Sequence, residues 1–133
     1  MSFGPKEVQI TLYNMLTGDV TLMALITGVY DFVPDNKAFS FVTIGEADWS
    51  DRGSQTTEGY TGTITINTWT QARGRATAHA IMAEIDRIIH NASASISGWS
   101  SLSLRRDFST ILVEDDAVTF HGVQRFKILI GQT

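Results

Sequence analysis

The chain has 133 residues, of which 43% are hydrophobic and 18% are charged, and its formal net charge is −4. This balance is typical of a globular protein, so we expect one domain spanning residues 1–133. The absence of cysteine excludes disulfides, thiolate metal sites and cysteine nucleophiles. The acidic balance argues against bulk nucleic-acid binding, which needs a basic face. We expect neither a secretory signal nor a membrane span, because no basic start leads into an apolar stretch and no long apolar run occurs.

The N-terminal part of the chain predicts a helix followed by a short helical turn. Pro5 suits the first turn of a helix, where its missing N–H costs nothing. Apolar residues then recur at three- and four-residue steps, which indicates one buried helix face. These residues are Val8, Leu12, Met15 and Leu16. Gly18 interrupts the pattern, and Asp19 can cap a second short turn that ends before Gly28.

Extended segments and one polar loop follow. Val29 to Pro34 is a short extended piece that ends at proline. Phe39 to Ala47 predicts a strand with a nearly continuous apolar run, and Tyr60 to Trp69 predicts another because threonines alternate with isoleucines. The polar stretch from Asp48 to Gly59 between them is the longest predicted loop.

The second half of the chain repeats this order of helix and strands. A helical period runs from about Arg73 to Asn91, and Leu102 to Phe108 and Val118 to Ile130 predict strands on either side of an acidic turn. The apolar stripe of the helix comprises Ala76, Ala80, Ile81, Ile85, Ile88 and Ile89. The whole chain therefore predicts an α+β fold, in which an antiparallel sheet of about four strands carries two helices on one face, in the order helix–strand–strand–helix–strand–strand.

The predicted sheet leaves unpaired edges, which a monomer must protect. The terminal stretch Phe126 to Ile130 contains a single charge, Lys127. We expect this stretch to be such an edge, and an oligomer to cover or extend it.

The sequence offers no catalytic or metal-binding pattern. His79, His90 and His121 lack metal-ligand spacing. The acidic triplet Glu114 to Asp116 has carboxylates that suit a divalent cation, but it lacks the spaced ligands of a calcium loop and fits a solvated hairpin turn better. We predict no catalytic, cofactor-binding or metal-binding residue.

Two features favour binding to other proteins. Arg73 and Arg75 flank Gly74 at the start of the long helix, where positive charge opposes the helix macrodipole, so that an acidic partner would offset the cost. Tryptophan and arginine are also common among interface hot spots. The predicted interface residues are Trp49, Asp51, Arg52, Arg73, Arg75 and Trp99. The alternative explanation for Arg73 and Arg75 is that they are solvated, and the alternative for Trp49 and Trp99 is that they pack over the core.

Three stretches resemble the tail-completion, or tail-terminator, family of long-tailed phages and gene transfer agents. Phe41–Glu46 resembles the family's first core strand, Trp69–Arg75 resembles its passage from strand to helix, and Asp107–Phe126 resembles its closing hairpin. The resemblance covers roughly Val8 to Ile130. It implies a virion protein without catalytic residues or cofactors, which lies at the tail–head junction after assembly in the host cytoplasm.

The resemblance further implies a homo-oligomeric ring, usually a hexamer, that caps the tail tube at full length and joins it to the head-side connector. Its partners would be sister chains, the tube protein and the connector, with DNA passing through the lumen without specific binding. We expect Glu114, Asp115 and Asp116 to face that lumen, because like charges disfavour adhesion of DNA.

Three alternatives remain open. The first is another neck component, such as a stopper, or a tail tube subunit. The second is a small hydrolase that uses Asp or His. A nucleic-acid-binding module is the third, and it requires five arginines to gather on one face. These are Arg73, Arg75, Arg105, Arg106 and Arg125.

Overall fold

The computed structural model describes residues 3–32, 38–53, 58–96, 98–99 and 101–131. Within these ranges the chain forms three helices and five strands, in an order that begins with two helices. The helices are α1 (Gly4–Thr17), α2 (Val20–Met23) and α3 (Ala76–Ile89), and the strands are β1 (Val29–Tyr30), β2 (Phe41–Asp51), β3 (Gly59–Thr70), β4 (Ser101–Val113) and β5 (Phe120–Gly131). No described helix is long and apolar enough to cross a membrane.

The five strands form one mixed sheet in the order β1-β2-β3-β5-β4. β1 is parallel to β2, and all other neighbours are antiparallel. The predicted α+β class is thus confirmed. The fifth strand is the short extended piece before Pro34, which pairs through Val29 and Tyr30 only. Positions 33–34 of that piece, 54–57 of the polar loop, and 97 and 100 in the connection between α3 and β4 lie outside the described residues.

The helices cover one face of the sheet, which we call the helix face, and the core lies between the two layers. Every second residue is buried there from Ile64 to Thr70 of β3 and from Gly122 to Ile130 of β5, because side chains alternate across a strand. The buried strand residues include Ile64, Ile66, Leu104, Phe126, Ile128 and Ile130. The opposite face, which we call the open face, carries the alternate positions, many of them threonines on β3.

The buried stripes of the helices follow the predicted periods with one shift of phase. In α1 the residues Val8, Leu12 and Leu16 are buried, and α1 begins at Gly4 with Pro5 in its first turn, as predicted. In α3 the buried residues are Ala78, Ile81, Met82, Ile85 and Ile89. Ala76 and Ala80 were predicted in the stripe but are exposed. Alanine carries little apolar surface, so its position barely constrains the phase of a helix.

The long helix and the last strand begin later than predicted, at Ala76 and Phe120. Two other strands were predicted too short, and both corrections lengthen strands at the expense of loops. β2 continues through Trp49 to Asp51, where we expected a loop, because this stretch pairs with β3 as far as Tyr60. β4 likewise continues beyond Phe108 to Val113 opposite β5. Polar strand ends lack the apolar alternation that marks a strand in sequence.

The terminal strand is not an edge of the sheet, contrary to our expectation. β5 pairs with β3 on one side and with β4 on the other. Its low charge therefore reflects burial within the sheet. The edges of the sheet are instead β4 on one side and β1 with the second half of β2 on the other. The first half of β4 is covered by the chain after α3, because the Asn91 N–H donates to the Leu104 carbonyl and the Arg106 N–H donates to His90 Nδ1.

Candidate interaction surfaces

The predicted interface residues gather at the two opposite ends of the sheet. At one end of β3, Tyr60 pairs with Asp51, and at the other end Thr70 pairs with Phe120. β3 has 12 residues, so these ends are about 36 Å apart at the usual rise per residue. Trp49, Asp51, Arg52 and Trp99 belong to the first end, and Arg73, Arg75 and the Glu114–Asp116 turn belong to the second.

The first end is built around an aromatic cluster, which we call the aromatic end. Tyr60 meets Trp49 edge-on at a centroid distance of 6.3 Å, Trp99 at 5.6 Å and Phe3 at 6.1 Å. Trp49 and Trp99 are half-buried and pack against the core. Each ring therefore covers the core and leaves part of its surface accessible, and the interface role of the two tryptophans stays a prediction.

Asp51 and Arg52 lie at the rim of the aromatic end and are exposed. The Asp51 carboxylate accepts a hydrogen bond from the backbone N–H of Gly53 at 2.9 Å. The Arg52 backbone N–H donates to the Gly59 carbonyl at 3.0 Å. No described acidic residue forms an ion pair with the Arg52 guanidinium, so this charge is available to a partner.

At the opposite end, which we call the arginine end, Arg73 and Arg75 lie in the turn before α3 and not inside the helix. Gly74 has a φ of +78°, a left-handed conformation that favours glycine. Arg75 is the N-cap residue but makes no side-chain capping bond. Its guanidinium carbon lies 5.5 Å from the centre of the Phe120 ring. Both arginines are exposed and form no ion pair with a described residue.

The acidic triplet forms the turn between β4 and β5 at the same end. The Asp116 carboxylate accepts hydrogen bonds from the Thr119 hydroxyl at 2.6 Å and from the backbone N–H groups of Thr119 and Val118. These bonds, above all those from Thr119, lower the pKa of Asp116. Glu114 lies 3.1 Å from His121, whereas Asp115 is exposed. Asp116 thus builds the turn, and Asp115 faces solvent.

His121 links this turn to the open face of the sheet. Its ring stacks on Trp69 at a centroid distance of 3.8 Å and an angle of 12°. Its Nε2 atom lies 2.7 Å from Asn67 Oδ1, and its Nδ1 atom faces Glu114. Burial lowers the pKa of His121, although the nearby Glu114 carboxylate acts in the opposite direction. The half-buried ring of His121 therefore packs against Trp69 and forms hydrogen bonds with its neighbours. Among the described residues, no group of acids and histidines has the geometry of a metal site.

The five arginines of the nucleic-acid alternative do not gather on one face. On the open face, Arg105 of β4 pairs with Lys127 of β5, and Arg125 of β5 pairs with Phe108 of β4. Arg106 lies on the helix face, where it forms a two-bond ion pair with Asp86 of α3 at 2.8 and 2.9 Å. Arg73 and Arg75 lie at the arginine end. The structure therefore contradicts the basic face that this alternative requires.

Two grooves run along the exposed edges of the sheet on its helix side. The larger, of about 690 Å³, lies between α3 and the second half of β4 and includes Met82, Ile111 and Phe126. The smaller, of about 570 Å³, lies between α1 and β1 and includes Ile10, Tyr13 and Phe32. Sequence reasoning missed both, because each groove joins residues that are far apart in the chain.

Comparisons with known proteins agree with this architecture. The family model described as Tail completion protein gp17 matches residues 10–131. A chain of the solved structure "Virion of native gene transfer agent (GTA) particle" has a TM-score of 0.88 to this chain. The two are 25% identical, and the alignment covers 98% of this chain and 99% of that chain. No curated protein matches the sequence at a significant level.

Proposed function

Because the chain belongs to the tail completion protein gp17 family, we propose that it closes into a ring that caps a tail tube at full length and joins it to the head-side connector. The protein is a structural component of a phage-type tail and not an enzyme. The number of copies proposed is six, as the family resemblance implies. The single observation that carries the proposal is the match, over nearly its full length, to a chain of a gene transfer agent virion.

The two ends of the sheet support a role between two different partners. The aromatic end offers half-buried rings and the exposed charge of Arg52, whereas the arginine end offers Arg73 and Arg75 beside an acidic turn. If the strands run along the ring axis, these ends form the two opposite faces of the ring. A cap that meets a tube on one side and a connector on the other needs two such unlike faces.

The two different edges of the sheet support closure into a ring. A cyclic ring of more than two copies requires a heterologous contact, in which one surface meets a different surface of the next copy. β4 and the β1–β2 side lie at opposite edges of the sheet. A stable contact between them would bury at least about 1,000 Å² in total.

The proposed lumen passes DNA without binding it. The net charge of −4 favours this passage. We propose that the Glu114–Asp116 turn lines the lumen, with Asp115 contributing an exposed carboxylate. Glu114 and Asp116 contribute less, because each already interacts with a neighbour.

The test compares particles made with and without this protein. In a producer that lacks it, we expect tail tubes of irregular and excessive length without heads, because elongation is not stopped. Negative-stain images of the purified protein should show a uniform ring with a central hole. Normal, head-attached tails in the absence of the protein would contradict the proposal.

The same experiment separates the neck alternatives. A tube subunit would polymerise into long tubes, and its loss would leave no tails. A stopper would leave tails of normal length that fail to join heads. Only a terminator combines loss of length control with loss of joining.

A further inference from the structure

The groove between α3 and the second half of β4, which we call the α3–β4 groove, is open at the edge of the sheet. The chain after α3 covers only the first half of β4, where it forms hydrogen bonds with Leu104 and Arg106. No described residue forms a hydrogen bond with the outer side of Ser109–Val113. A partner that approaches this edge can therefore reach the floor and both walls of the groove.

The floor of the α3–β4 groove contains a buried acceptor that lacks a donor. Gln124 is 5% exposed, and its side-chain N–H donates to the Met82 carbonyl at 2.9 Å. Its Oε1 atom is buried and has no partner among the described residues. A buried acceptor left without a donor costs about 1–3 kcal/mol, so such a group calls for a donor from outside.

The lining beside Gln124 is mainly apolar. It includes Met82, Ala83, Ile111 and Phe126. The α3–β4 groove therefore suits an apolar side chain that brings a backbone N–H with it.

The opposite edge of the sheet presents such a side chain. Phe32 lies just beyond β1 and is 65% exposed, the highest value of any described aromatic residue. Ile10 and Tyr13 of α1 lie beside it in the smaller groove, and each is 44% exposed. A contiguous exposed apolar patch of this kind marks a site of contact with another protein.

One row of paired residues crosses the whole sheet and connects these two sites. The row comprises Val29, Val42, Thr68, Gly122 and Ile111. Ile111 lines the α3–β4 groove. Phe32 follows Val29 by three residues, which keeps it within about 10 Å of the same height along the strands. A rotation about an axis parallel to the strands preserves height, so it brings Phe32 of one copy beside the groove of the next.

The charges of the two sites are complementary. The charged lining residues of the α3–β4 groove are Arg75, Arg106, Arg125, Asp86 and Asp107. The bases outnumber the acids, and both acids already form ion pairs with arginines of the groove. On the opposite edge, Asp31 precedes Phe32, is exposed and forms no ion pair with a described residue. A negative charge beside Phe32 is attracted to the excess of positive charge in the groove.

We propose that Phe32 of each copy inserts into the α3–β4 groove of the next copy in the ring, and that a backbone N–H of the inserted segment reaches Gln124 Oε1. This inference rests on the proposed ring and names the contact that closes it. The contact is heterologous, because Phe32 and the groove belong to different edges of the sheet. Ile10 and Tyr13 of one copy and Val113 of the other, which is 45% exposed, add apolar surface around it.

The first test is photo-cross-linking in the assembled ring. Phe32 is replaced by the photoreactive analogue p-benzoyl-phenylalanine, which keeps an aromatic ring at this position. Rings are assembled from equal amounts of unlabelled and nitrogen-15-labelled protein, irradiated and digested. A cross-linked peptide pair with one unlabelled and one labelled partner must come from two different copies.

We expect such mixed pairs to join position 32 to the α3 or β4 wall of the groove, at Met82, Ala83 or Ile111. The control places the same analogue at Val20, an 84% exposed position on α2, and should give no cross-link to the groove. Mixed pairs that join position 32 to any other surface would overturn the inference.

The second test measures ring assembly in variants of both sites. Phe32→Ala should raise the midpoint concentration of assembly roughly tenfold or more, since a central aromatic anchor is lost, whereas Phe32→Leu should retain most of the assembly. Ala83→Trp fills the groove and should have an effect similar to that of Phe32→Ala.

The matched control is Ala80→Trp, because Ala80 is exposed on the same helix and does not line the groove. Thermal unfolding checks that each variant is folded. Assembly of Phe32→Ala and Ala83→Trp at the wild-type concentration would refute this contact but leave the ring intact. A wild-type chain that forms no ring, alone or with the tube protein, would refute the ring itself and this contact with it.

Discussion

At the scale of single residues, most charged side chains serve the fold before they serve a partner. Asp19 caps α2 through the Leu22 N–H and also holds Arg87 of α3. The bond from Leu22 and the contact with Arg87 lower the pKa of Asp19. Asp86 has a lowered pKa because of Arg106. Arg52, Arg73 and Arg105 form no ion pair with any residue that the structure describes, so they are the better candidates for contacts between chains.

His121 predicts a dependence of stability on pH. Burial lowers its folded pKa below the ordinary value of 6.5. Below pH 6.5 the unfolded chain therefore binds more protons than the folded one, and stability falls as the pH drops towards the folded pKa. Stability from this source is fully present above pH 6.5. The carboxylates with lowered pKa values add a further loss only at more acidic pH, below about 4.

The measurement is denaturant unfolding at pH 7 and pH 5.5 for the wild type and His121→Gln. We expect the variant to lose about 1 kcal/mol at pH 7, because the stack on Trp69 and the ring hydrogen bonds are removed. Its further loss between the two pH values should be smaller than that of the wild type. An equal loss in both proteins would show that His121 does not carry the effect.

At the scale of elements, the start of α3 shows how a local sequence separates folding from function. The helical period places Ile81, Ile85 and Ile89 on one face of α3, and that face is buried. Arg73 and Arg75 precede the first helical residue, and neither contributes to the core. The unfavourable charge at the N-terminus of the helix is a cost that folding does not require.

We therefore expect Arg73→Glu with Arg75→Glu to leave folding intact and to abolish joining of tails to heads. Negative charge near a helix N-terminus is favourable by about 0.3–1 kcal/mol, which offsets a similar loss of the contact between Arg75 and Phe120. Thermal unfolding checks stability, and imaging of particles checks joining.

The matched control is Arg73→Lys with Arg75→Lys, which keeps the charge and should support joining. Normal, full-length tails attached to heads in the double glutamate variant would reject the role of these arginines.

At the scale of the whole molecule, the order of strands decides which surfaces reach a partner. The last strand of the chain lies inside the sheet, and β4 is left at the edge. The long β3 separates the aromatic end from the arginine end. Two unlike ends and two unlike edges are the surfaces from which a ring between two partners can be built.

This arrangement predicts that variants at opposite ends cause different defects. Arg52→Glu at the aromatic end should disturb one junction of the ring, and the double glutamate variant at the arginine end should disturb the other. Tail-length distributions and the fraction of tails with heads, measured in particles complemented with each variant, distinguish the two. Arg52→Lys is the control, and identical defects from both ends would contradict the assignment of one end to each partner.

Local patterns in the sequence determined the class of fold, the positions of the helices and the resemblance to the tail-completion family. The helical period of 3.6 residues and the strand period of two depend on neighbours within a few residues. Val8–Leu16 shows the first period clearly, and Tyr60–Trp69 shows the second. Only the tertiary structure decided that Phe126–Ile130 is central and that Trp49 belongs to a strand. It also decided that Val29 and Ile111 end the same row at opposite edges. Strand order and register depend on contacts between distant parts of the chain, and burial of the common core selects them.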